Sequence, residues 1–135
     1  MDTDTQLNSI FAFKSRVFGP KYWFTLFTMV MGSYPVKMTR SAKDQRIKKA
    51  FIATLGGLRY TMPCSLCRAS YCKFWKDLPI GGYLASRKEL VTWLWLIHDR
   101  VNQKLGKKSI PLDKVIEWYL RFRARGCSKE KKACI

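Results

Sequence analysis

From Ser86 to Gly106 the apolar residues Leu90, Trp93, Leu94, Ile97, Val101 and Leu105 recur at three- and four-residue intervals. That spacing lines one face of a helix and does not match the two-residue alternation of a half-buried strand. Ser86-Arg87-Lys88-Glu89 has the form of a capping box: Ser86 caps the first turn, Glu89 reaches back, and Gly106 stops the helix. The same period recurs upstream. Tyr22, Trp23, Leu26, Phe27 and Val30 predict a helix from Pro20, in its first turn, to about Met31. Ile47, Ala50, Phe51, Thr54, Leu55 and Leu58 predict another from Ser41 to Leu58, opposite Lys43, Lys48 and Lys49 and frayed at Gly56-Gly57. A short helix is expected from about Cys64 to Trp75, a turn at residues 78–82, and a last helix from Leu112 to about Arg123. With little alternation and no internal repeat, the predicted class is all-α, a four-helix bundle with an additional C-terminal helix. The expected layout is an arm over 1–17, one domain over 18–125 and a basic, cysteine-containing tail over 126–135.

A chain of 135 residues is long enough to bury a real core. Its 47% hydrophobic and 14% aromatic content excludes a disordered chain. The net charge of +17 suits an acidic partner, whether nucleic acid, an anionic membrane surface, an acidic protein or a phosphate-bearing cofactor; equally, it describes a solvated surface. No stretch reaches the ~20 apolar residues that span a bilayer. The polar start Met1-Asp2-Thr3-Asp4-Thr5 lacks a signal or transit pattern, so folding in the cytoplasm is expected. The five cysteines, Cys64, Cys67, Cys72, Cys127 and Cys134, are too few for a disulfide framework. In a reducing compartment a close pair points to catalysis or metal binding.

Cys64 and Cys67 follow Pro63 as a CxxC, which can be a redox pair, half a zinc site or two buried thiols. At a helix start, free N–H groups and the helix dipole stabilise a thiolate, and the second sulfur is expected over that first turn. Cys72 offers a third thiol, but Lys73-Phe74-Trp75-Lys76 adds no fourth ligand and His98 is remote, so no metal is expected. His98 and Asn102, four apart, share a helix face, with Trp95 on nearly the same side. Such a face is a polar notch in a core helix or a ring-and-amide site for a flat ligand. In the second reading Trp23 and Phe27 form the opposite wall, and Lys104, Lys107 and Lys108 suit a phosphate.

The ordered set Phe18-Gly19-Pro20-x2-Trp23-x2-Leu26-Phe27, Tyr34-Pro35, Pro63-Cys64-x2-Cys67 and Trp93-Leu94-x3-His98-x2-Val101-Asn102-x2-Leu105-Gly106-Lys107 resembles the Erv/ALR family of FAD-linked sulfhydryl oxidases. The likeness covers about residues 18–118 and points to the branch found in large cytoplasmic DNA viruses. It implies a helical bundle with FAD at its mouth and a homodimer. It makes Cys67 the flavin-proximal thiol and Cys64 the exchange thiol. It assigns Trp23, His98, Val101, Asn102, Lys104 and Lys107, with Gly19, Lys21 and Trp118, to the cofactor. It implies transfer of two electrons from a protein dithiol, thioredoxin-like for example, through the CxxC and FAD to molecular oxygen, yielding hydrogen peroxide in the host cytoplasm or virion.

This chain departs from the family pattern in places. Phe18 stands where Trp is usual, and Leu26-Phe27 where Leu-His is usual, which removes one polar cofactor contact. A structural disulfide common in the family would fall at Trp95 and near Asp113-Lys114, so both partners are missing together. Trp95 is expected to pack on the last helix and do that holding job. Cys127 and Cys134 could form a shuttle disulfide, or be tail thiols without a role. Cys72 is expected to be a small core residue. The rival functions are a basic nucleic-acid-binding or virion structural protein with the same fold, and a small zinc protein.

Overall fold

The computed structural model describes residues 2–124. Among these the regular structure is helical: α1 (Thr3–Asn8), α2 (Ser15–Ser33), α3 (Ala42–Thr61), α4 (Ser65–Asp77), a 3-10 turn (Ile80–Tyr83), α5 (Arg87–Lys104) and α6 (Leu112–Leu120). The expected all-α class is what the chain adopts. The helix α5 packs on α2, and α3 packs on α4. Between them lies a core that includes Phe27, Val30, Tyr34, Leu55, Leu90, Trp93, Leu94 and Ile97, all with at most 1% exposure. No helix among the described residues is long and apolar enough to cross a membrane.

Local signals account for α5. The Ser86 hydroxyl accepts the Glu89 N–H at 3.1 Å. The Glu89 carboxylate reaches back to the Ala85 N–H at 3.2 Å, one residue earlier than in the usual box. At the other end Gly106 takes φ +70. The Lys107 N–H bonds the Asn102 carbonyl at 2.8 Å and the Gly106 N–H the Gln103 carbonyl at 3.1 Å, a Schellman cap. Leu105 is consequently a cap residue with 59% exposure, and does not belong to the buried face as its spacing suggested.

Elsewhere tertiary contacts override the local reading. The helix α2 begins at Ser15, so Pro20 lies past the first turn, and α1 occupies part of the expected loose arm. The helix α3 runs through Gly56-Gly57 to Thr61. Gly56 is buried because a Cβ there would meet two ring carbons of Trp75 at 3.1 Å; α3 needs the missing side chain to approach α4. Ala50 and Thr54, expected on the apolar face, are exposed, while Phe51 and Leu55 carry it. The Tyr71 hydroxyl closes the same seam by donating to the Leu55 carbonyl at 2.6 Å. The helix α6 stops at Leu120, short of Arg123.

Candidate active site

Cys64 is the N-cap of α4, with extended backbone at φ −160, ψ 121. Its sulfur accepts the Cys67 N–H at 3.4 Å. The thiolate-stabilising position is therefore held by the first sulfur and not, as expected, by the second. The side-chain and backbone hydrogen bonds from Cys67, with smaller help from the Leu66 N–H and Arg68, hold the Cys64 thiol below the ordinary range. Cys67 lies inside the helix. Burial, then the hydrogen bond to Cys64 and the charge of Cys64, push it up to about 11, opposed by Lys104. Both thiols are unbonded and partly buried. Arg68 folds back to donate to the carbonyl of Met62, bracing the entry to the motif.

This asymmetry predicts selective labelling of the reduced protein. Near neutral pH, Cys64 should react with iodoacetamide at least about tenfold faster than Cys67. Lower pKa also lowers intrinsic nucleophilicity, but only by about half the pKa difference, so thiolate population wins. Mass spectrometry of peptides after brief labelling checks this; equal labelling would remove the N-cap argument.

The helix α5 meets α4 through Lys104, whose ammonium donates to the Ser70 hydroxyl. Ser70 is three residues after Cys67 and shares its helix face. Sequence reasoning passed over Ser70, although its spacing from Cys67 was legible. His98, Asn102 and Lys104 thus project from the helix that borders the dithiol. His98 is half-buried, and desolvation holds its pKa below the usual value, Lys107 adding to the effect and Asp99 opposing it; near neutral pH the imidazole is uncharged.

The aromatic residues divide into a surface and its support. The Trp23 and His98 rings are 4.4 Å apart and tilted by 36°. The two rings pack on each other and leave no slot between them: a flat ring needs roughly 3.5–4.0 Å on each side and would enter between them only if they parted, so a ligand would lie against the outer side of the pair. Phe27, expected as a wall, has 0% exposure and offers a ligand no face. It stacks on Tyr119 of α6 at 5.1 Å and props His98 from behind at 6.0 Å. Tyr119 is another residue the sequence reading missed.

Trp95 does not join this cluster. Its indole N–H donates to the Ile110 carbonyl at 2.7 Å, two residues before α6, so it ties down the entry to that helix through a hydrogen bond, while its ring packs against the core. Trp118 is 45% exposed and packs with Phe24 and Phe122 on the outer side of α2 and α6.

The remaining expected residues lie on α2, on α5 or just past the cap of α5. Space over Gly19 is open, with nothing within 4 Å of an added Cβ, one turn before Trp23. Lys21, Lys104 and Lys107 are exposed, and Val101 is half-buried. Asn102 is the buried polar residue among the described residues at 9% exposure. No hydrogen bond engages its side-chain amide among the described residues, and no fully buried side-chain polar atom there lacks a partner, so that amide keeps some contact with solvent. Two aromatic rings, an unengaged amide and exposed ammonium groups fit a flat heteroaromatic ligand bearing phosphates.

Cys72 is exposed, not a core residue; it lies in a cleft with Arg59, Tyr60, Trp75 and Lys76, its thiol directed at the Arg59 carbonyl at 3.8 Å. Cys127 and Cys134 lie outside the described residues. Among the described residues there is no cluster of three His, Cys, Asp or Glu side chains suited to a metal.

The profile of the Erv1 / Alr family matches residues 20–122. Over 97 residues the chain is 31% identical to a probable FAD-linked sulfhydryl oxidase of Acanthamoeba polyphaga mimivirus. That stretch is 71% of this chain and 64% of the viral protein, so the match spans less than two thirds of the relative's length. The crystal structure of the yeast Erv1 core superposes with TM-score 0.68 at 21% identity, covering 85% of this chain and 91% of that one. The FAD binding domain of Erv1 from Saccharomyces cerevisiae gives TM-score 0.68 at 22% identity, covering 79% and 94%. At these identities the likeness is one of fold.

Proposed function

This chain belongs to the Erv1 / Alr family, and from that membership we propose that it is an FAD-dependent thiol oxidase that forms disulfides in protein dithiols. The observation that carries the reading is the junction of α4 and α5. The N-capping Cys64 and partly buried Cys67 sit on a helix tied by Ser70 to Lys104, on the same helix as His98 and Asn102. The mimivirus relative supports a place in the viral branch.

In the oxidised site, a substrate thiolate attacks the Cys64 sulfur of the Cys64–Cys67 disulfide. The S–S bond breaks and Cys67 departs as thiolate. With Cys64 now covalently engaged, two of the three influences that raise the Cys67 pKa vanish, while the attraction of Lys104 remains. A second substrate thiol then attacks the mixed disulfide at the substrate sulfur. Cys64 leaves as the stabilised N-cap thiolate, and the substrate departs as a disulfide, having lost two electrons and two protons. Bound FAD would supply the acceptor for those electrons, with molecular oxygen as terminal oxidant and hydrogen peroxide as product. Trp23, His98 and Val101 would provide its apolar contacts, with Gly19 leaving room beside them. Asn102 would bond an edge, and Lys21, Lys104 and Lys107 would face its phosphates.

The purified protein should be yellow and should consume oxygen on addition of dithiothreitol. A colourless protein inert to dithiothreitol would overturn the reading. Family membership does not favour the nucleic-acid-binding or virion structural alternative. We further propose a homodimer acting in the host cytoplasm or virion, with residues 18–125 as the oxidase unit. The shuttle assignment of Cys127 and Cys134 is kept as a proposal. Three intervening lysines, Lys129, Lys131 and Lys132, would lower thiolate pKa and attract an acidic substrate. Removing residues after Arg125 should spare dithiothreitol oxidation and slow oxidation of reduced thioredoxin. Equal loss on both would make the tail a support for the fold; equal retention would make these cysteines bystanders.

A further inference from the structure

The segment joining α1 to α2 leaves apolar side chains in water beside the CxxC. The helix α1 buries none of its residues. The chain after it is tied to the body by the Phe13 N–H, which donates to the Pro63 carbonyl at 3.0 Å. Pro63 immediately precedes Cys64. On the two chain segments that meet at this junction, Phe11 is 96% exposed, Phe13 59% and Ile10 48%, and Leu66, between the two cysteines, is 77% exposed. Scattered exposed apolar residues are ordinary, but a group of them gathered at one junction marks a surface that is covered in use.

The position restricts what covers it. A second copy of this chain seated over Pro63 would shield the thiol that substrate must reach. A substrate presenting a dithiol at Cys64 necessarily comes against this rim. Cysteine is among the most buried residue types in finished proteins. Cysteines still awaiting oxidation therefore lie in apolar stretches that are exposed only before folding is complete.

We infer that Ile10, Phe11 and Phe13, with Leu66, form an apolar rim that holds an incompletely folded polypeptide while its dithiol is oxidised at Cys64. The inference rests on the thiol-oxidase reading above and adds the class of substrate to it. The rim supplies binding through apolar contact next to the reacting sulfur. The bonds made and broken remain those of the dithiol exchange already described.

The test uses the full chain carrying Phe11→Ser and Phe13→Ser together. Both side chains are exposed, and the anchor at residue 13 is a main-chain N–H, so the fold is retained. Oxygen consumption is followed with two substrates, dithiothreitol and reduced, unfolded ribonuclease A. The expected result is dithiothreitol oxidation within about twofold of wild type. The kcat/KM for ribonuclease should fall about tenfold, mainly through KM, and the Phe11→Leu, Phe13→Leu pair should recover most of it. Unchanged kcat/KM on both substrates overturns the inference. So does an equal fall on both, which would make the arm a prop for α4, and so does dissociation of a dimer by the serine pair, which would make the rim an interface between copies. Wild-type protein that oxidises neither substrate removes the thiol-oxidase reading itself, and the rim with it.

Discussion

Replacing either Cys64 or Cys67 with Ser should reduce dithiol oxidation to the uncatalysed rate while bound FAD is retained. Both sulfurs are required because the reaction passes through an S–S bond between them, which a hydroxyl cannot form. Cofactor affinity should persist because neither serine removes the ring pair, the Asn102 amide or the lysines. The two variants should nevertheless differ. In Cys64→Ser the neighbouring thiolate that raises Cys67 is gone, so Cys67 should titrate below about 11. In Cys67→Ser the backbone N–H at residue 67 still caps the Cys64 sulfur, so Cys64 should keep most of its reactivity toward iodoacetamide near neutral pH. Oxygen uptake with dithiothreitol, and alkylation rate against pH for each variant, measure these effects. Substantial turnover by either single variant would mean that this pair is not the reacting centre.

The second large effect is on stability. Phe27→Ala should cost about 3–5 kcal/mol, the usual range for deleting a fully buried aromatic side chain, and lower the melting temperature by on the order of 10 °C or more. The ring is wholly buried and sits between Tyr119 and His98, so its loss opens a cavity behind the proposed cofactor wall. Trp23→Ala should behave differently. Trp23 is only partly buried, so stability should change less. Flavin affinity should weaken by about 1–3 kcal/mol, by analogy with base stacking on aromatic side chains. The comparison is made on flavin-free protein, because a ligand that binds only the folded state adds stability by mass action. Thermal unfolding and flavin titration of both variants separate support from contact. If Phe27→Ala left stability intact and abolished flavin binding, the ring would touch the cofactor directly.

Some of the site was readable because the signals involved are local. A CxxC after a proline, a Ser-x-x-Glu box, and a Gly-Lys pair closing a helix each act over a few residues. Their consequences could be drawn without knowing what packs against them. The face shared by His98 and Asn102 follows from helical periodicity in the same way. The family resemblance added roles to those positions, and those roles still rest on that resemblance together with the geometry around them.

What the sequence by itself determined, then, is the helical class, the caps of α5, and the presence of a dithiol helix and a ring-and-amide helix. These depend on hydrogen bonds and side-chain spacing within one or two turns. Tertiary structure decided the rest. Phe27 and Trp23 look alike in an aromatic stripe, but only Phe27 is covered, because Tyr119 arrives from α6, far along the chain. Gly56-Gly57 reads as a helix end, yet α3 continues because Trp75 of α4 needs the space above Gly56. Which cysteine carries the negative charge follows from the backbone at Cys64, which caps the helix, and from the burial of Cys67, opposed by Lys104 from α5. A charge, a close approach and a buried face are each set by what lies across the gap, and chain spacing carries no record of that partner.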